Sequence, residues 1–320
     1  MAAMMMGQRA AMGQFLAFTR VQESSADMAG AQYLADARIT GRGSLSFFGK
    51  LQNREYRYGY SQSDDAAFTR THPLSGDRIS ALRGVYEKDP AWDAPLNPEW
   101  ESEFARVKAK LKGYIAEPRY TFRDYPQTDQ TVPARYARAY AYHKTAQVDR
   151  ALAETDSLLA VDPDDPYFLE LKGQVLLESG RPHEALDPLR RATAMTNAEP
   201  LIASLFGHAL IATEDDGNFE EAERVLRAAV GRDRRNPFAW YQLGVVYAAR
   251  GDTARARLAS AEQQVMNRQY GLALRSAQAA EYGLEHGTPD WIRAQDIGMQ
   301  ARALLERQCE MERGRDCAPG

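Results

Sequence analysis

The chain has 320 residues, 44% hydrophobic and 26% charged, a globular balance with length for two ordinary domains. Its formal charge of −4 leaves no electrostatic footprint for nucleic acid or an anionic membrane, and no run of 18 apolar residues marks a bilayer span. The opening MAAMMMGQRAAMGQF lacks a basic stretch before an apolar one, so it reads as a Met-rich helix already under way rather than a signal peptide.

Phe15, Phe18, Val21, Met28, Tyr33 and Leu34 recur at helical spacing and predict a long helix from about Met12 to Ala37. A second helix fits Leu45 to Tyr58, with Phe47, Phe48, Leu51 and Tyr58 as its apolar side. Gly59 to Arg70 is polar and aperiodic, a loop. A third helix opens at Ser75-Gly-Asp-Arg78 and runs through Glu87; Asn97-Pro98 caps a fourth, to about Tyr114. Glu117 to Val132, interrupted by Pro118 and Pro126, reads as an extended linker.

Three features of this first part are hard to explain as packing. Glu23 and Asp27 lie four apart and share a helix face, where like charges are mildly destabilising. They form either a solvated acidic face or a metal ligand with a supporting carboxylate. Neighbouring Ala26, Ala29 and Gly30 make a close-packing face and favour the second. In Thr71-His72-Pro73 the proline fixes the chain beside the imidazole. Arg78, in the first turn of a helix, opposes the macrodipole unless it is paired or faces an anion.

The second half repeats itself. Ala139, Gly173, Gly207 and Gly244 are separated by 34, 34 and 37 residues; Ala151, Ala185, Ala222 and Ala256 by 34, 37 and 34. Both series hold small residues, as two closely approaching helices require, and the three extra residues fall in the turn EDDGNFEEA. Trp240-x2-Leu243-Gly244-x2-Tyr247 matches the tetratricopeptide consensus, Gly251 suits a positive φ after that helix, and Asp252 suits the next N-cap. Asp162-Pro163 and Asn236-Pro237 are read as closing two repeats, and residues 264–307 as a degenerate fifth hairpin with a cap. Stacked hairpins line a groove with their first helices, here with Arg135, Arg138, Tyr142 and Lys172, then His208, Tyr241 and Gln242. That lining suits an extended or helical polypeptide of acidic or polar character, either recruited as a partner or supplied by the first part of the same chain as a restraint. Cys309 and Cys317, eight apart, permit a small disulfide loop or two free thiols.

Arg20-Val-Gln-Glu23-Ser-Ser-Ala26-Asp27-Met-Ala-Gly30, followed by Thr71-His72-Pro73-Leu-Ser-Gly-Asp-Arg78-Ile79, resembles the C-terminal half of the catalytic domain of zinc metallopeptidases of family 48, related to CAAX prenyl proteases and HtpX. With the repeats behind it, the chain is similar to the periplasmic, BepA-like branch. The resemblance implies a zinc endopeptidase of envelope quality control, with Glu23 a zinc ligand, Asp27 supporting a zinc histidine, and His72 and Arg78 beside the substrate carbonyl. It also implies an H-E-x-x-H helix, which this sequence does not contain; its five histidines are His72, His143, His183, His208 and His286. An open zinc site needs three protein ligands, so the chain alone is expected to lack zinc and activity. It is expected to be an N-terminally truncated form of a longer protein; the alternative is a non-catalytic repeat scaffold that binds a protein partner. The expected architecture is all-α: residues 1–116 the C-terminal part of a gluzincin-type helical peptidase domain, 117–131 a linker, 132–307 a tetratricopeptide solenoid, and 308–320 a tail. No nucleic-acid partner is expected, and membrane association is not required.

Overall fold

The computed structural model describes residues 2–58 and 75–313, and among these every regular element is helical. The expected loop at 59–70, His72 and Cys317 lie outside the described residues. The chain divides into two compact units, Met1–Phe104 and Ala105–Gly320.

The first unit contains α1 (Ala2–Asp36), α2 (Arg42–Arg57), α3 (Ser75–Tyr86), a 3-10 turn at Pro90–Asp93 and the opening of α4 (Pro98–Ile115). Its core joins Ala31 of α1 to Leu45 and Phe48 of α2 and to Leu82 and Tyr86 of α3. Gly41 lets this core close, because a Cβ there would sit 2.1 Å from the Tyr86 ring. The predicted helices are present, but of the apolar residues named on α1 Leu34 alone packs against this core. Phe15, Phe18, Val21, Met28 and Tyr33 are between 46% and 71% exposed, and Leu16 and Ala31 point inward instead. Phe47 and Tyr58 are likewise exposed, while Phe48 packs inside. A 3.6-residue period fixes that a helix forms; it does not fix which of two apolar stripes meets the protein.

The second unit continues α4 and adds α5 (Pro118–Asp124). Five hairpins follow: α6 (Val132–Lys144) with α7 (Val148–Val161), α8 (Pro166–Glu178) with α9 (Pro182–Met195), α10 (Pro200–Ala212) with α11 (Phe219–Arg232), α12 (Pro237–Ala249) with α13 (Thr253–Met266), and α14 (Tyr270–Gly283) with α15 (Pro289–Arg313). Three of the five first helices open on a capping side chain followed at once by proline: Asp165 accepts from the amides of Tyr167 and Phe168, Glu199 from Leu201 and Ile202, and Asn236 from Ala239. Proline at the first helical position costs no hydrogen bond, since that amide has no partner in the helix. Asp162-Pro163 closes the first repeat at the end of α7, and the next helix opens three residues later at Asp165-Pro166, whereas Asn236-Pro237 opens α12 rather than closing α11. The three extra residues of the third repeat form a 3-10 turn at Asp216–Asn218 capped by Asp215.

The small-residue series has a volume logic. A Cβ on Gly173 would lie 2.4 Å from Leu189, and one on Gly207 2.5 Å from Leu226. Those leucines are completely buried against the facing glycines. At Gly244 the facing residue is Ala259, 3.5 Å from the same ideal position, so close approach is there shared between two small residues.

The segment expected to be an extended linker is partly helical. Pro118 sits at the start of α5 rather than breaking it, and Thr121 there is fully buried. The unit boundary also falls earlier than 117, inside α4. From Ala105 onward α4 packs with the repeats: a Cβ on Gly113 would lie 2.6 Å from the carbonyl oxygen of Ala137 in α6. Arg106 pairs with Asp165 at 2.6 Å over the Phe168 ring, and Lys110 with Glu170 at 3.1 Å. Lys144 donates to the carbonyls of Tyr114 and Ala116 at the end of α4. These contacts make α4 and α5 a cap on the first repeat.

Candidate functional site

The core of the first unit brings Glu23, Asp27 and Arg78 together. Asp27 and Glu23, one helical turn apart on α1, face the start of α3. Arg78 donates from Nε to Asp27 Oδ2 at 2.7 Å and from Nη2 to Asp27 Oδ1 at 2.6 Å, a two-pronged pair. Its Nη1 lies 3.4 Å from Glu23 Oε2. The guanidinium also lies 4.2 Å over the Phe48 ring, which fixes its plane. The hydrogen bond to Asp27 raises the Arg78 pKa, with Glu23 and Glu55 adding to the effect. Arg78 thus violates the dipole rule at the start of α3 because it is paired.

Glu55 on α2 was not picked out from the sequence. Its Oε1 accepts from the Ser75 hydroxyl at 2.7 Å and caps the opening of α3 beside Arg78. No local signal marks it, since it reaches the site only through the packing of α2 on α3. The cluster therefore holds three carboxylates around one guanidinium.

This donor set does not by itself fit a metal ion. Among the described residues no group of three or more His, Cys, Asp or Glu side chains is placed to hold one. Carboxylates already engaged by a cationic guanidinium, and in the case of Glu55 by Ser75, supply too few ligands and a repulsive neighbour.

The expected groove residues separate into two groups. Arg138, Tyr142 and Gln242 are buried and unavailable to a partner. Arg138 is 0% exposed: Nε donates to Glu154 Oε1 at 2.6 Å, and Nη1 donates to the carbonyls of Pro126 at 2.9 Å and Asp129 at 2.6 Å. Tyr142 packs on Phe122 and accepts from Gln127 at 2.6 Å. A substitution at Arg138 therefore reports on folding, not on binding. Arg135 shares Glu154 with it at 3.1 Å.

Lys172, His208 and Tyr241 do reach the surface of α8, α10 and α12. Lys172 pairs with Asp156 at 2.7 Å, and Tyr241 is 55% exposed. His208 meets the edge of Phe238 at 5.5 Å, and burial lowers its pKa while Glu178 opposes that shift. His143 and Glu178, 2.7 Å apart, bridge α6 to α8, and the imidazole holds the Glu178 carboxyl below its usual range. His143, Glu178 and Phe238 are not among the groove positions named from the sequence; for the first two the available signal was their mutual offset of 35 residues, about one repeat.

Comparison with known proteins agrees with this division. Residues 1–86 match the model of peptidase family M48, and residues 136–200 and 212–270 match tetratricopeptide repeats. The chain is 23% identical over 299 residues to the β-barrel assembly-enhancing protease of Escherichia coli K12, covering 91% of this chain and 59% of that protein. The Shigella flexneri protein of the same name gives the same figures. The chain thus spans somewhat over half the length of these curated relatives. Among solved structures, YrrB, a tetratricopeptide protein, covers 57% of this chain and 94% of its own at 19% identity and a TM-score of 0.44. MamA from Desulfovibrio magneticus RS-1 covers 53% of this chain and 96% of its own at 20% identity and a TM-score of 0.43. The chain thus joins a segment that matches peptidase family M48 to a run that matches tetratricopeptide repeats.

Proposed function

We propose that this chain holds polypeptides for an envelope zinc peptidase, in the periplasm, with β-barrel proteins of the outer membrane as the substrate class. The observation that carries the peptidase part is the joining of Glu23, Asp27 and Arg78 across two helices. In this reading Glu23 is the position of a zinc ligand, Asp27 the carboxylate that supports a zinc histidine, and His72 and Arg78 the groups beside the substrate carbonyl. The described residues do not complete the centre, so no catalytic step is assigned to them. The name of the β-barrel assembly-enhancing protease supports the substrate class. The second reading, a non-catalytic scaffold, is favoured by the guanidinium that already pairs with both carboxylates.

Purified chain dialysed against zinc is expected to keep well under one equivalent and to leave casein intact. One zinc per chain with chelator-sensitive cleavage would overturn this. The holding role predicts that a urea-denatured outer-membrane β-barrel protein, diluted into buffer, aggregates less when the chain is present. Lys172→Glu with Tyr241→Ala should remove at least half of that protection, while melting temperature stays within a few degrees. Equal protection by the double variant would rule out this face.

A further inference from the structure

A second surface of the solenoid carries a cleft that the groove of first helices does not include. It has a volume of about 570 Å3, within the size range of ligand pockets. Its floor is Trp240, Leu243 and Tyr247 of α12, spaced i, i+3, i+7 and so on one helix face. Tyr241, the exposed groove residue, projects from a different face of the same helix. The walls come from the second helices α11, α13 and α15.

The charges on these walls are uneven. On the α13–α15 side two acids are paired, Glu262 by Arg293 at 2.5 and 2.9 Å and Asp290 by Arg255 at 2.7 Å, while a third, Asp296, has only the already engaged Arg293 near it. Asp296 adds to the rise in the Arg293 pKa. On the α11 side two cations are left over. Arg227 has only Glu223, one turn away at 3.4 Å, and Arg234 has no ion pair among the described residues. An apolar and aromatic floor beside two under-compensated guanidiniums is complementary to a carboxylate next to a large apolar side chain.

We propose that this cleft binds an acidic peptide segment, its carboxylates on Arg227 and Arg234 and an aromatic or aliphatic side chain on Trp240. The site is separate from the groove invoked for polypeptide holding and does not depend on it. The repeats thereby offer two polypeptide contacts, one on the first helices and one on the second.

The test uses the full 320-residue chain and acetyl-Glu-Asp-Phe-Asp-Glu-amide as probe, titrated by calorimetry and by tryptophan fluorescence. Saturable binding of one peptide per chain is expected, weakening with salt as ion pairs are screened. Arg227→Glu with Arg234→Glu should weaken it at least tenfold, Arg234→Lys should retain most of it, and Tyr241→Ala should leave it unchanged. The fluorescence change should disappear in Trp240→Phe. Both arginines sit at the rim, and unchanged circular dichroism of the double variant checks that the repeats remain folded. Absence of saturable binding, equal binding by the charge-reversed variant, or loss on Tyr241→Ala would each overturn the proposal. Equal affinity for acetyl-Lys-Lys-Phe-Lys-Lys-amide would do so too.

Discussion

Arg138→Met is expected to cost about 3–5 kcal/mol, the largest loss from any single exchange in the solenoid. The guanidinium is wholly buried and holds Glu154 on α7 together with two backbone carbonyls of the segment before α6. Methionine fills much of the volume and leaves those acceptors without their donor. Arg135 still reaches Glu154 at 3.1 Å, which places the loss toward the lower end of that range. Pairing Arg138→Met with Glu154→Leu should recover at least 1 kcal/mol, because the uncompensated charge is then gone. Urea denaturation supplies the free energies, and hydrogen exchange should localise the loosening to residues 126–161. A loss under about 1 kcal/mol for the single variant would show that water reaches Glu154.

The second large effect is expected at Gly113. Valine there would drive its side chain into the backbone of α6, where an ideal Cβ already stands 2.6 Å from the Ala137 oxygen and 3.0 Å from its Cα. Backbone cannot rotate aside as a side chain can, so the clash is relieved only by lifting α4 from the repeats. That forfeits the Arg106–Asp165 and Lys110–Glu170 pairs along with the burial of Ala109. Gly113→Val is expected to cost about 3 kcal/mol and to open residues 105–115 to trypsin at Lys108, Lys110 and Lys112. Gly84→Ala, at a helical glycine with nothing within 4 Å of its ideal Cβ, should instead be neutral or slightly stabilising. Unchanged protease resistance in Gly113→Val would mean that α4 is not held at this crossing.

The repeats were legible because a period constrains every residue in it: the small positions had to recur where the helices cross, and the caps had to recur where they start. The cap formed by α4 and α5 was not legible. It belongs to no period, and Pro118 looks the same in a sequence whether it breaks an extended segment or opens a short helix. Arg138 was read as groove lining because it lies on a first helix; its burial depends on Glu154, on the second helix of the same hairpin. In the first unit Glu23 and Asp27 could be paired by spacing and Arg78 singled out by its misfit with the helix dipole. Their mutual contact, and the part taken by Glu55, required the packing of three helices.

The reach of Arg138 also bears on how the chain is made. Its partners lie sixteen residues ahead at Glu154 and twelve behind at Pro126. Each later hairpin closes on the one just before it, so nearly every tertiary contact of the solenoid joins residues close in the sequence. As the polypeptide emerges into its compartment from the N-terminus onward, the first repeat can lock as soon as α7 is out, and the remainder can be laid down one hairpin at a time on a finished template. A segment that folds in step with its own emergence exposes little unfinished surface, an advantage for a protein whose proposed clients are themselves unfolded chains.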